Sequence, residues 1–210
     1  PGGRGGRVYI DFLPPGPPQP LAAPFSARPV PGALVPPPLA WPEAGGGKPL
    51  RQRVAEADAA LSDAFRAGEP VEGLVAARAW VVEQAVLEAW AVEATRRDDL
   101  ALLAVGGFGR GELFPRSDVD LLVLAGGPLG ADAAAPIERF FARLWDEGLN
   151  VGHAVRTPAE CGEGAAADVT ILTNLLDARL LAGRGDLAEA MRVATAPGRV
   201  WPPARFAAAK

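Results

Sequence analysis

Residues 105–124 read Val-Gly-Gly-Phe-Gly-Arg-Gly-Glu-Leu-Phe-Pro-Arg-Ser-Asp-Val-Asp-Leu-Leu-Val-Leu, and two parts of that run have the types and spacing for chemistry. Asp118 and Asp120 flank Val119 where an apolar, strand-like run begins, so strand alternation sends both carboxylates to one face and Val119 into the core. Such a pair repels itself. Bound Mg²⁺ removes that cost, because it suits hard oxygen ligands and takes one or two carboxylates together with substrate phosphate oxygens. Gly106 and Gly107 close the preceding apolar run; without side chains they let the backbone approach a triphosphate, and their amides can donate to phosphate oxygens. Arg110 and Arg116 would add positive charge. The reaction suited to this set is in-line displacement at the α-phosphate of a nucleoside triphosphate, with pyrophosphate leaving. The bland alternative is a tight connection beside two solvated aspartates, and the conjunction of Gly-Gly, loop, Asp-x-Asp and flanking apolar runs argues against it. Two other glycine motifs fail: Gly107-Phe-Gly109-Arg-Gly111-Glu112 lacks the last glycine of a dinucleotide fingerprint, and Gly47-Lys48 is followed by Pro49 rather than Ser or Thr.

The elements that must hold these residues are legible around them. Leu100 to Val105 and Val119 to Leu124 are short apolar runs that read as buried strands, joined by the glycine-rich loop. Two helices precede them. The first starts near Leu50 with Val54, Ala57, Leu61 and Phe65 on one face and stops at Gly68; the second opens at Pro70 and runs to about Ala94. Ile137 to Asp146 has a helical pattern, and Leu149 to Val155 reads as a third strand. Asp168 or Thr170 caps a further helix carrying Leu172, Leu175, Leu176, Leu180 and Leu181 that Gly183 ends, and Asp186 opens another toward Ala194. Trp80, Trp90 and Trp145 sit in helical patterns and read as core.

Composition bounds the rest. With 14 of the 22 prolines in residues 1–49 and Gly45-Gly46-Gly47 near its end, that segment reads as a flexible or extended arm, leaving residues 50–210 as the domain. A net charge of -4 provides no field for a polyanion, so nucleic acid is not the expected partner. The single Cys161 excludes an intramolecular disulfide and reads as an incidental buried thiol, in keeping with a reducing cytosol. The single His153 rules out a site needing several histidine ligands; a core or hydrogen-bonding role is its default, with nucleotide positioning as the alternative. No secretory signal is read at the N-terminus. The longest apolar stretch, Leu74 to Val92, is broken by Arg78, Glu83 and Glu88, so no membrane span is expected.

The 105–124 run resembles the active-site motif of the DNA polymerase beta-type nucleotidyltransferases. Residues 102–124 are similar, within that superfamily, to the bacterial bifunctional uridylyltransferase and uridylyl-removing enzymes that modify the PII nitrogen-signalling protein. The resemblance continues through Leu144-Trp-Asp-Glu-Gly-Leu-Asn-Val-Gly-His-Ala-Val-Arg-Thr157 and Asp168-Val-Thr-Ile-Leu-Thr-Asn-Leu-Leu-Asp-Ala-Arg-Leu-Leu-Ala-Gly183, covering roughly residues 50–210. It implies an α+β fold with a small mixed sheet and flanking helices, and a cytoplasmic enzyme that transfers UMP from UTP to a tyrosine hydroxyl of PII with Mg²⁺ as cofactor. It carries catalytic and metal-binding roles onto Asp118 and Asp120 and the phosphate-binding glycines onto Gly106 and Gly107; Arg110, Ser117 and Arg156 are the further nucleotide-binding candidates among the residues themselves. The third carboxylate common in the superfamily has no counterpart on Leu149 to Val155, which leaves Asp146, Asp168 and Asp177 to be considered. The family's phosphohydrolase and glutamine-sensing domains have no counterpart in this chain. Two other readings stay open: the same chemistry with another nucleotide or acceptor, and a nucleotide-binding module without activity.

Overall fold

A computed structural model describes residues 48–94, 98–202 and 206, so the proline-rich arm expected over residues 1–49 lies almost wholly outside the described residues. Helices α1 (Leu50–Arg66) and α2 (Val71–Glu93) lead into strand β1 (Leu100–Ala104), the single turn α3 (Gly106–Gly109) and strand β2 (Val119–Ala125). Helix α4 (Ala131–Asp146), strand β3 (Val151–Arg156), and helices α5 (Pro158–Ala167) and α6 (Val169–Leu176) follow. Strand β4 (Arg179–Gly183), helix α7 (Gly185–Ala194) and the short α8 (Pro197–Val200) complete an α+β fold.

The four strands form one mixed sheet in the order β3-β2-β1-β4, with β1 antiparallel to both neighbours and β2 parallel to β3. β1 is buried along its whole length, which is why it is apolar at every position rather than at alternate ones. One face of the sheet, with Leu100, Leu102, Leu121 and Val123, packs on α2 and α4. The other, with Ala101, Leu103, Leu122 and Leu124, packs on α5 to α8.

Helix α2 is buried around most of its circumference, and the three charges that interrupt its apolar run each meet an opposite charge on another element. Arg78 bonds Asp58 on α1 at 2.8 Å, Glu88 bonds the buried Arg53 on α1 at 2.6 Å, and Glu83 bonds Arg179 on β4 at 2.7 Å. Buried charges persist in a fold when paired. Among the described residues no helix is long and apolar enough to cross a membrane.

Several expectations are corrected. The helix expected to continue through Leu180 and Leu181 stops at Leu176, and Arg179–Gly183 instead forms β4. Helical spacing of the leucines gave way to the outer edge of β1, whose buried backbone groups need partners that only another strand supplies. Gly183 is therefore no helix cap: it has φ +85, and a Cβ there would lie 2.2 Å from Leu100 O. The α4 helix begins ahead of Pro136 and not after it. Pro158, Ala159 and Glu160 ahead of Cys161 open α5, where Thr157 and Glu160 form a reciprocal capping box with proline in the first turn. Of the tryptophans read as core, only Trp90 is buried; Trp80 and Trp145 are 41% and 47% exposed, and Phe65 on α1 is 62% exposed.

Gly109 shows how tightly α3 docks on the corner after α6, since a Cβ there would lie 2.1 Å from the backbone oxygen of Asp177. Overpacking of this kind costs about 1–3 kcal/mol. Gly109→Ala is therefore expected to lower stability by about that amount in urea unfolding; an unchanged midpoint would refute this packing.

Candidate functional site

The pairing of β1 with β2 assembles the site. Their register sets Ala104 opposite Leu121, and one residue further on Val105 N donates to Asp120 O at 3.1 Å. The chain then turns at Gly106, with φ +57, across the Asp120 side chain: a Cβ at Gly106 would lie 3.3 Å from Asp120 Oδ2 and 3.4 Å from Asn174 Oδ1. Glycine is needed there twice over, for its backbone conformation and for the absence of a side chain between two polar groups. The first intrahelical bond of α3 runs from Gly109 N to Val105 O at 3.0 Å, so the preceding amides of the turn have no intrahelical acceptor. Those are the donors that the sequence assigns to phosphate oxygens.

Asp118 and Asp120 stand at the start of β2 on the face of Leu122 and Leu124, Asp118 exposed and Asp120 partly buried. Burial, followed by the charge of Asp118, pushes the Asp120 carboxyl up to about 6. A cation between the carboxylates would relieve both causes, so this donor pair fits Mg²⁺, with phosphate oxygens and water completing its shell. Among the described residues no group of three or more His, Cys, Asp or Glu side chains is arranged to hold a metal. Asp146 ends α4 at the surface, Asp168 caps α6 by accepting from Thr170 N at 2.7 Å, and Asp177 pairs with Arg110 at 2.6 Å.

The other expected residues divide. Ser117 lies beside Asp118 and, with Arg116 and Asn150, rims a groove of about 790 Å³ walled by Leu61, Phe65, Val71, Leu74 and Phe114. Arg110 is next to Gly107, but its guanidinium bonds both Asp177 and Glu112. Burial acts to lower its pKa, and those two carboxylates outweigh burial and raise it, so Arg110 is held as a cation in an ion-paired network. Arg156 is not brought to the carboxylates. The parallel register pairs Asp120 with Gly152 and Leu124 with Arg156, which sets Arg156 roughly 13 Å further along the sheet at strand spacing, over Gly164 of α5. His153 pairs with Leu121 and so faces the opposite side, its ring 4.0 Å from that of Phe141, where burial lowers its pKa. Cys161 is buried and its thiol is pushed up to about 12, chiefly by burial.

Three residues that hold the site went unread in the sequence. Asn150, whose backbone oxygen accepts from Val119 N at 2.8 Å, donates from its side chain to Asp118 Oδ1. Arg179 donates to Gly109 O at 3.2 Å and ties the α3 turn to Glu83 of α2. Asn174, a buried polar residue in the apolar run of α6, borders Gly106. Only Asn174 gave a readable signal, as a polar break in an apolar helix.

Because the Asp120 pKa is raised, the folded protein holds a proton that the unfolded chain has released between about pH 4 and pH 6, so stability falls as pH rises through that window. Asp120→Asn removes this cost, and should be more stable than the metal-free wild type at pH 7.5 by on the order of 1–2 kcal/mol after allowance for partial exposure. The advantage should vanish below about pH 4, where both side chains are neutral. Parallel stability curves for the two proteins across that range, followed by circular dichroism, would contradict the assignment.

No protein-family model matches the chain. Curated relatives do: it is 48% identical over 160 residues to a bifunctional uridylyltransferase/uridylyl-removing enzyme of Xanthomonas euvesicatoria, an alignment covering 76% of this chain and 18% of that protein. It is 47% identical over 167 residues to the enzyme of the same name from Methylococcus capsulatus, again across 76% of this chain and 18% of the relative. The Pseudomonas putida enzyme is 44% identical over 151 residues, 71% of this chain and 17% of its own length. The chain thus spans less than a fifth of the relatives it matches, and it belongs to the family of the bacterial bifunctional uridylyltransferase/uridylyl-removing enzymes as a homologue of their N-terminal part.

Proposed function

We propose that this chain carries a Mg²⁺-dependent nucleotidyltransferase centre that transfers UMP from UTP to a tyrosine hydroxyl of the PII signalling protein, releasing pyrophosphate. The observation that supports it is the meeting of the Gly106 turn with the Asp120 carboxylate, which feels the charge of Asp118, at the end of β1 and the start of β2. In this reading Asp118 and Asp120 hold the metal, which when bound supplies charge neutralisation for the triphosphate and the departing oxygens. Asn150 orients the Asp118 carboxylate. The amides of Gly106 and Gly107 take phosphate oxygens, and Ser117 stands where the nucleotide passes from the carboxylates to the groove. Arg110 lends positive charge to the turn while its ion pairs keep it in place. The acceptor hydroxyl would stand in line behind the α-phosphorus and give its proton to solvent as its oxygen bonds phosphorus and the bond to pyrophosphate breaks, so the protein supplies positioning and electrostatics rather than a covalent intermediate. The setting implied is the bacterial cytoplasm, and neither nucleic acid nor membrane is a partner.

A second reading keeps nucleotide binding without turnover. It is motivated by the two-carboxylate donor set, to which no third His, Cys, Asp or Glu is added among the described residues.

Incubation with labelled UTP, Mg²⁺ and PII should add one UMP to the acceptor, read by mass, with stoichiometric pyrophosphate. Asp118→Asn and Asp120→Asn should each lower turnover by at least about 100-fold, the loss of roughly 3 kcal/mol of charge stabilisation. Preference for ATP among the four ribonucleotides would exclude uridylylation, and no turnover alongside intact Mg²⁺·UTP binding would favour the second reading.

A further inference from the structure

Helix α6 buries two successive polar side chains, Thr173 at 7% and Asn174 at 3% exposure. Thr173 is satisfied within its own helix, its hydroxyl donating to Val169 O at 2.8 Å. Asn174 is not. Its Nδ2 is buried with no hydrogen-bond partner, while its Oδ1 lies 3.4 Å from where a Gly106 Cβ would be, a point that Asp120 Oδ2 approaches to 3.3 Å from its own side. A buried donor without an acceptor costs about 1–3 kcal/mol, which an isosteric leucine would avoid, and the surrounding α6 positions Leu172 and Leu175 are already leucines. A half-turn about the last side-chain bond exchanges the amide oxygen and nitrogen within the same volume, carrying the N–H from its unpartnered pocket to the Gly106 turn.

We propose that Asn174 is a positioning residue for the Mg²⁺·nucleotide centre, its amide turning to donate a hydrogen bond to the Asp120 carboxylate when metal and triphosphate occupy the site. This rests on the nucleotidyltransferase reading above. In the occupied site Asp120 is an anion with a fixed direction, and an N–H on its Oδ2 side leaves the remaining lone pairs free for the cation. Hydrogen bonds to charged groups are the stronger class, so the unmet donor of the empty site becomes a contribution to binding in the filled one. Gly106 must remain glycine beside this contact, because at φ +57 a Cβ there would crowd Asp120 Oδ2 at 3.3 Å and Asn174 Oδ1 at 3.4 Å.

The test compares wild type, Asn174→Leu and Asn174→Ala by metal-free thermal melting, by calorimetric titration with Mg²⁺·UTP, and by the Mg²⁺ concentration that half-saturates turnover at fixed UTP. Expected for Asn174→Leu are a melting midpoint at or above wild type, an approximately tenfold weaker Mg²⁺·UTP affinity and a half-saturating Mg²⁺ raised by a similar factor. Asn174→Ala should show the same binding losses even where its cavity lowers the midpoint. Wild-type Mg²⁺·UTP affinity in either folded variant would overturn the role of Asn174 and leave the centre standing. A wild-type protein that does not bind Mg²⁺·UTP overturns both.

Discussion

The antiparallel pairing of β1 with β2 is the constraint on which the rest depends. It brings the end of one buried strand to the start of the next, so that Gly106 and Asp120, separated by a long turn in sequence, become neighbours beside the Val105 N to Asp120 O hydrogen bond. A slip of one residue would turn Asp120 into the core formed by α2 and α4 and set Leu121 in its place at the site, an exchange of a charge for an apolar side chain that the core cannot accept. The cost of burying a carboxylate thus sets the position of this pair as firmly as any polar contact does. The electrostatic cost at Asp120 is tolerated because strand register, not local preference, decides where that carboxylate sits.

Around this pair the remaining elements act as a frame. Parallel β3 delivers Asn150 to Asp118, β4 delivers Arg179 to the carbonyl of Gly109, and the corner after α6 delivers Asp177 to Arg110. Helix α2 joins the frame from the other side through Glu83, which shares Arg179 with the α3 turn. The charges within the long apolar run of α2 therefore have a structural account: each is a strut to a neighbouring element.

Much of this was legible in sequence because it is local. Gly-Gly, Asp-x-Asp and the two apolar runs announce their own conformations, α1 and α7 carry helical periodicity, and α2 is a long apolar run opened by proline. What escaped was decided elsewhere in the chain. The leucines of β4 have helical spacing, and only the unpaired edge of β1 makes them a strand. Arg156 lies in a segment that resembles the family, yet the parallel register carries it past the carboxylates. Phe65 and Trp80 sit in helical patterns that do not reveal how far a neighbouring helix reaches. The α5 helix is a different case, since its Thr-Pro-Ala-Glu start is a capping box written locally, with the proline in the first turn.

The clamp on the α3 turn has a temporal side. The residues that define the motif are complete by Leu124, whereas the groups that fix its glycine turn, Asp177 and Arg179, lie 67 to 70 residues beyond their partners. A nascent chain on the ribosome that has exposed the first two strands holds the whole motif in the absence of its support. The site becomes a single rigid object only when β4 has been made and has zipped onto the free edge of β1. Long-range closure of this kind is slow compared with hairpin formation, so synthesis passes through an interval in which the sequence motif exists before the architecture that frames it.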